Sequence, residues 1–371
     1  MPNRWRYDSF DLCLVTFDLM PIQGYPDPGA GLRLHLNENT GGCSPRVLEA
    51  IHRLQTTDVS TYPSYPALVT ACARHFGVDP DLVLLTNGLD EGILMAAVGH
   101  IARTRAHDAE TIVPLPAFDP YPNATAAVGA AAVRIPPEPG YVFQTEAVLR
   151  AITPRTRMIF LNTPNNPTGQ LISIGDLRRI ADAAPQAVVL VDEAYIEFGG
   201  DTFLPEIARY PNVLVGRTFS KAYGLAGMRV GILIGQPQAL DPVRAVTLPF
   251  NINAVAIAAT MAALEDREFL PRYAREVAES RLRLYEACDR LGLEYWKSAA
   301  NFVLVRVPST SLRTGAAVQL FVEALAARQV HVRDRSKDAT TPGCIRITAG
   351  VLRHTEAAIE ALESVVVGRP R

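Results

Sequence analysis

Short, almost unbroken apolar runs recur through the middle of this sequence: Thr111-Ile-Val113, Ala131 to Ile135, Arg157-Met-Ile-Phe-Leu161, Ala187-Val-Val-Leu-Val191, Val213-Leu-Val-Gly216 and Val230-Gly-Ile-Leu-Ile234. Helical stretches such as Gly175 to Ala184 separate them. A strand that is apolar at successive positions, not at every second one, is covered on both faces, and strands alternating with helices join in parallel. The expected fold class is therefore α/β, a mostly parallel sheet sandwiched by helices. Ligands in such sheets bind where strands end at their carboxyl side.

The pattern does not fill the chain. At 371 residues the sequence exceeds what one simple core holds, so a second domain is expected. Around Asp241 to Phe250 the strand pattern stops, and Ala256 to Leu291 reads as two short amphipathic helices bearing Arg and Glu. Strands Phe302 to Val307, His331 to Arg333 and Cys344 to Thr348, with a helix near Ala316 to Ala327, then make a smaller α+β unit. The expected division is an arm belonging to the small domain (1–36), a large domain (37–255) and a small C-terminal domain (256–371). Pro and Gly crowd the arm between Pro21 and Gly31, which argues against regular structure there.

The strand ends carry the unusual side chains. Asp81-Leu-Val-Leu-Leu85 runs into Thr86-Asn-Gly-Leu-Asp-Glu-Gly92 and an apolar helix, Ile93 to Ala102. A glycine turn opening a helix offers free N–H groups to a phosphate, although Asp90 and Glu91 serve equally as ordinary first-turn acids. After Val113 comes Phe118, placed to stack on a flat ligand. After Leu161 comes Asn162-Thr-Pro-Asn-Asn-Pro-Thr-Gly169, a turn rich in amides, and after Val191 come Asp192 and Tyr195. Each has an ordinary counterpart in a core ring, a plain turn or a helix cap. Their succession has none.

It ends at Arg217-Thr-Phe-Ser-Lys221-Ala-Tyr-Gly-Leu-Ala-Gly-Met-Arg229, on the turn between two buried strands. Burying an ammonium is costly and depresses its pKa, which is what an amine needs to attack an aldehyde. Thr218, Ser220 and Arg229 offer two hydroxyls and a fixed positive charge to a phosphate beside it. Taken alone the stretch also reads as a solvated loop. On the later strands Arg333 and Arg346 face either solvent or an anion.

Composition narrows the partners. A formal net charge of −2 gives no reason to expect nucleic acid or an anionic membrane surface. The five cysteines are scattered and never form a CxxC pair, so no disulfide framework or zinc site is indicated and a cytoplasmic setting is expected. The apolar run Phe10 to Met20 is interrupted by Asp11 and Asp18, which argues against a signal peptide.

An amine at a strand end, a carboxylate, an aromatic ring, an amide turn and a phosphate cradle are the parts that hold pyridoxal phosphate. The sequence resembles the fold-type I, class I/II aminotransferases, and within them the histidinol-phosphate aminotransferase family, from Leu36 to the C-terminal helix. The motifs that carry the likeness are Asn37-Glu-Asn39, Tyr62-Pro63, Asn87 to Glu91, Pro116 to Tyr121, Pro164 to Gly169, Asp192 to Tyr195, Ser220-Lys-Ala, Gly227-Met-Arg229, Ala300-Asn-Phe302 and Gly343 to Thr348. The resemblance implies Lys221 as the Schiff-base lysine and Asp192 as partner of the pyridinium nitrogen. Asn166 and Tyr195 would bond the ring oxygen and Phe118 would stack on the ring. Gly88, Leu89, Asp90, Thr218, Ser220 and Arg229 would surround the phosphate, joined by Tyr62 from the other subunit of a homodimer. Arg346, with Arg333 and Asn37, would meet the substrate. The implied activity is transfer of an amino group from histidinol phosphate to 2-oxoglutarate, in histidine biosynthesis. An aromatic amino acid aminotransferase is the alternative, and a decarboxylase of a phosphorylated amino acid a further one. A ligand sensor in a transcription regulator needs a DNA-binding module for which the arm is too short. The sequence departs from the family at Ile22 to Pro26, at Thr40-Gly-Gly42, where a Pro-containing turn is usual, and at Phe250, where tyrosine is common.

Overall fold

The structure is a computed structural model and describes residues 28–102, 108–308 and 315–368. Most of the arm, including Ile22 to Pro26, lies outside the described residues.

Among the described residues, twelve strands form two sheets. In chain order they are β1 (Leu32–Leu34), β2 (Val83–Thr86), β3 (Glu110–Pro114), β4 (Ala131–Ile135), β5 (Thr156–Asn162), β6 (Val188–Asp192), β7 (Val213–Thr218), β8 (Gly231–Gly235), β9 (Tyr295–Trp296), β10 (Phe302–Arg306), β11 (Val330–Asp334) and β12 (Cys344–Thr348). The larger sheet has the order β2-β8-β7-β6-β5-β3-β4. The pairs β7–β6, β6–β5, β5–β3 and β3–β4 are parallel, whereas β8 runs antiparallel to both of its neighbours. This is the mostly parallel, helix-covered sheet expected, and its central strands β6, β7 and β8 are buried at every position.

Reversal of β8 lets the short loop between Phe219 and Val230 join it to β7 directly, where a parallel neighbour would need a crossover helix. Lys221 and Arg229 stand near the two ends of that loop.

The smaller sheet has the order β1-β11-β12-β10-β9. Strand β1 pairs in parallel with β11, Leu32 opposite Val330 and Leu34 opposite Val332, so the start of the described chain is stitched to its far end. In the antiparallel pair β11–β12, Arg333 lies opposite Arg346, which puts both guanidinium groups on one face.

The helical region has the two helices expected, but they differ in character and length. Its first helix, Ala254–Glu265, is capped by the Asn253 side chain and buries Ala256, Ala259, Thr260, Ala262 and Ala263, with no charged face to speak of. The second, Phe269–Leu291, is a single helix of 23 residues. Pro271 falls in its first turn, where the missing N–H costs nothing, and no glycine interrupts it before Gly292 closes it in a left-handed conformation. The helix expected from Ile93 begins at Gly88, with Asn87 as its cap residue.

Candidate active site

Lys221 leaves β7 three residues beyond Thr218. Its amine donates to the Leu36 carbonyl at 2.9 Å and lies 6.0 Å from the centre of the Tyr195 ring. Burial, then the positive Arg346 and Arg229 nearby, bring the amine down to about 8. That leaves about a tenth of the amine neutral at pH 7, far more than an ordinary lysine offers, and the neutral form is the nucleophile.

At the end of β6, Asp192 is almost wholly buried, and burial pushes its carboxyl up to about 6. Its oxygens are opposed to that shift by two donors: the Tyr121 hydroxyl at 2.6 Å and the Ala194 N–H at 2.9 Å. Tyr195, on the loop that follows, is also buried and accepts from the Asn37 amide at 3.1 Å. Burial raises its phenol to about 12, so it remains a proton donor. Asn37 sits in the left-handed region at φ 56° and is pinned by Thr348 and Asn301.

The phosphate-type residues meet where the helix Gly88–His100 abuts β8. Gly88 has φ +72°, and a Cβ there would fall 2.5 Å from Arg229 Nη2. A Cβ on Gly231 would fall 2.5 Å from the Leu89 nitrogen, so strand and helix start touch backbone to backbone. Arg229 donates to Ser220 Oγ at 3.3 Å and to Asp90 Oδ2 at 3.1 Å, and the Ser220 N–H reaches Thr218 Oγ1 at 3.2 Å. Gly88, Leu89, Asp90, Thr218, Ser220 and Arg229 are thus one cluster, at the positive end of a helix and beside a guanidinium, as an anion site requires. An open cleft of about 710 Å³ borders the cluster at Ser220, with Gly224 to Gly227 on one side and Arg33, Glu38 and His354 on the other.

Arg346 is buried over the Phe302 ring at 5.2 Å, donating to the Asn166 side-chain oxygen and, at 2.8 Å, to the His35 carbonyl. Asn166 is fixed in turn through its N–H to Asn162 Oδ1 at 2.6 Å. Phe118 is half-buried and stands edge-on to Tyr121, ring centres 5.8 Å apart. Tyr62 is the outlier: it is 80 % exposed and stacks on Phe250 at 4.3 Å, with no recorded bond to the cluster around Lys221.

Two contributors were missed from the sequence. Tyr121 lay inside a recognised motif, but its reach to Asp192 crosses 71 positions. Arg217 lay inside the lysine stretch but points to the opposite face of the sheet, pairing with Glu193 at 2.9 Å and Glu197 at 2.8 Å in a buried triad.

Residues 30–363 match the family model for aminotransferases of class I and II. The chain belongs to this aminotransferase family. It is 38% identical over 346 residues to histidinol-phosphate aminotransferase 2 of Ralstonia nicotianae, covering 90% of this chain and 88% of that one. It is 34% identical over 343 residues to histidinol-phosphate aminotransferase 2 of Thiobacillus denitrificans, covering 90% and 91%. Among solved structures it resembles the histidinol-phosphate aminotransferase of Sinorhizobium meliloti in complex with pyridoxal-5'-phosphate, with TM-score 0.79, 26% identity and coverage of 97% and 99%. The family's cofactor is pyridoxal phosphate. This aminotransferase has residues that fit it: Gly88 holds a left-handed φ of +72° beside the Arg229 guanidinium, a buried carboxylate stands at Asp192, and a depressed amine stands at Lys221. No helix among the described residues is long and apolar enough to cross a membrane.

Proposed function

We propose that this aminotransferase takes its amino group from histidinol phosphate, passes it to 2-oxoglutarate, and works as a cytoplasmic homodimer. The observation that carries the substrate reading is the pairing of Arg333 with Arg346 on one face of the smaller sheet, with Arg346 close enough to depress the Lys221 amine. Two guanidinium forks suit a phosphate dianion. The names of the relatives at 38% and 34% identity support the same reading.

Pyridoxal phosphate held there would supply an aldehyde for the substrate amine and a ring that serves as an electron sink. Asp192 keeps a proton on the ring nitrogen. Tyr195 and Asn166 would hold the ring oxygen, and Phe118 would cover a ring face. Lys221 Nζ accepts the proton from the substrate α-carbon and holds it for return, general base and then general acid. Gly88, Leu89, Asp90, Thr218, Ser220 and Arg229 hold the phosphate, with Tyr62 supplied by a second copy. Arg346, Arg333 and Asn37 place the substrate. We read 1–36 with 256–371 as the small domain and 37–255 as the large one, a division supported by the β1–β11 pairing. The four described cysteines are free, in keeping with a reducing compartment.

The test is a half-reaction followed by absorbance with histidinol phosphate, phenylalanine and O-phosphothreonine in parallel. Histidinol phosphate is expected to react with the highest kcat/KM. Preference for phenylalanine replaces this reading with the aromatic one, and CO₂ release from O-phosphothreonine replaces it with a decarboxylase.

A further inference from the structure

We infer that Tyr121 is a positioning residue that aims the Asp192 carboxylate at the ring nitrogen and keeps it charged. The inference rests on the reading of Asp192 given above. Tyr121 belongs to the helix Pro120–Ala127, which begins where the Phe118 turn ends. Its ring is almost wholly buried and stacks on Phe160 with centres 4.8 Å apart. It stands nearly perpendicular to the Phe118 ring, and its carbonyl accepts from Thr125 Oγ1 at 2.9 Å. Ring and backbone are both fixed, so the hydroxyl has one place to go, Asp192 Oδ2 at 2.6 Å.

A carboxylate oxygen has about two acceptor directions. With Oδ2 bonded to Tyr121 and Oδ1 to the Ala194 N–H, rotation of Asp192 breaks at least one bond, and one direction stays open on each oxygen. The groups around this carboxyl differ in sign of effect. Burial, Asp90 from the helix Gly88–His100 and Glu193 next in the chain favour the protonated form, while Tyr121 and the Ala194 N–H favour the charged one. Tyr195 adds a neutral phenol near the same place, and Tyr121 itself is held far above the ordinary phenol range by burial and by Asp192, so it donates throughout the working pH range. A protonated Asp192 could not hold a proton on the ring nitrogen, and Tyr121 is the side chain that opposes protonation most directly. The same ring touches Phe118, so one residue sets both the edge partner and the face partner of the ring.

The experiment compares the parent, Tyr121→Phe, Asp192→Asn and the double variant, each stripped of cofactor and titrated with pyridoxal phosphate or with its 1-deaza analogue, which lacks the ring nitrogen. Far- and near-UV circular dichroism checks the fold. Tyr121→Phe is expected to weaken pyridoxal phosphate binding roughly tenfold or more, the scale of a hydrogen bond to a charged group, and to leave binding of the deaza analogue within about twofold. The acid limb of the half-reaction moves to higher pH, because Asp192 loses a donor to its charged form, and KM for the amine stays level while kcat falls. In the Asp192→Asn background the Tyr121 change adds little. Equal losses for both cofactors, or full additivity with Asp192→Asn, overturn the inference and leave Tyr121 as packing alone. If Asp192→Asn itself binds and reacts like the parent, the reading of Asp192 fails first, and the inference with it.

Discussion

A half-buried lysine whose amine lies near a guanidinium weakens the fold that carries it. The Lys221 amine sits at about 8 against an ordinary 10.5, so between those values the unfolded chain binds more protons than the folded one. The penalty is complete below about 8 and disappears as pH rises past 10.5. Lys221→Met should therefore abolish turnover yet stabilise the protein stripped of cofactor by roughly 1–2 kcal/mol at pH 7, after discounting for partial exposure. Denaturant titrations at pH 7 and pH 10.5 check this, with the gain shrinking at the higher pH; an unchanged midpoint at both contradicts it. Arg346 makes a different prediction. Arg346→Lys keeps the charge but loses the fork that reaches Asn166 and the His35 carbonyl. Affinity for histidinol phosphate should fall about tenfold to hundredfold, the scale of one or two charge-assisted hydrogen bonds, while the spectrum of the bound cofactor is unchanged.

Between elements, the junction of β8 with the helix Gly88–His100 leaves little tolerance for change. Gly88→Ala would put a methyl against Arg229 Nη2 and strain a backbone already at φ +72°. It should cost about 1–2 kcal/mol of stability and, more tellingly, should weaken pyridoxal phosphate far more than pyridoxal, which lacks the phosphate. Equal loss for the two ligands would remove the helix start from the phosphate site. The sequence announced these elements unevenly. Strands β3 to β8 were legible because each is apolar on successive positions, and the lysine loop because polar groups there had no packing reason. The direction of β8 was not legible, since a buried strand reads alike either way. Nor were the partners of Arg217, because Glu193 and Glu197 reach it only after β6 and β7 lie side by side. The helix Ala254–Glu265 was misjudged because small apolar residues pack all round it and leave no amphipathic signature.

For the molecule as a whole, the exposed stack of Tyr62 on Phe250 bears on assembly. If Tyr62 completes the phosphate site of a second copy, Tyr62→Phe and Lys221→Ala chains mixed under exchange should form heterodimers with one intact site, fed by the Tyr62 of the Lys221→Ala chain. The mixture should regain part of the activity that each variant lacks, and no recovery despite demonstrated subunit exchange would count against sharing. The pairing of Leu32 with Val330 has its own consequence for how such an enzyme comes into being. Leu36, whose carbonyl holds the Lys221 amine, and His35, whose carbonyl holds Arg346, extend from a strand whose partner among the described residues is the segment around residue 330. On the ribosome, Lys221, Asp192 and Arg229 thus emerge long before the strands that close over them. A nascent chain halted after β8 should carry an incomplete pocket, and competence should arrive late in translation, when β11 and β12 draw the two ends of the chain together.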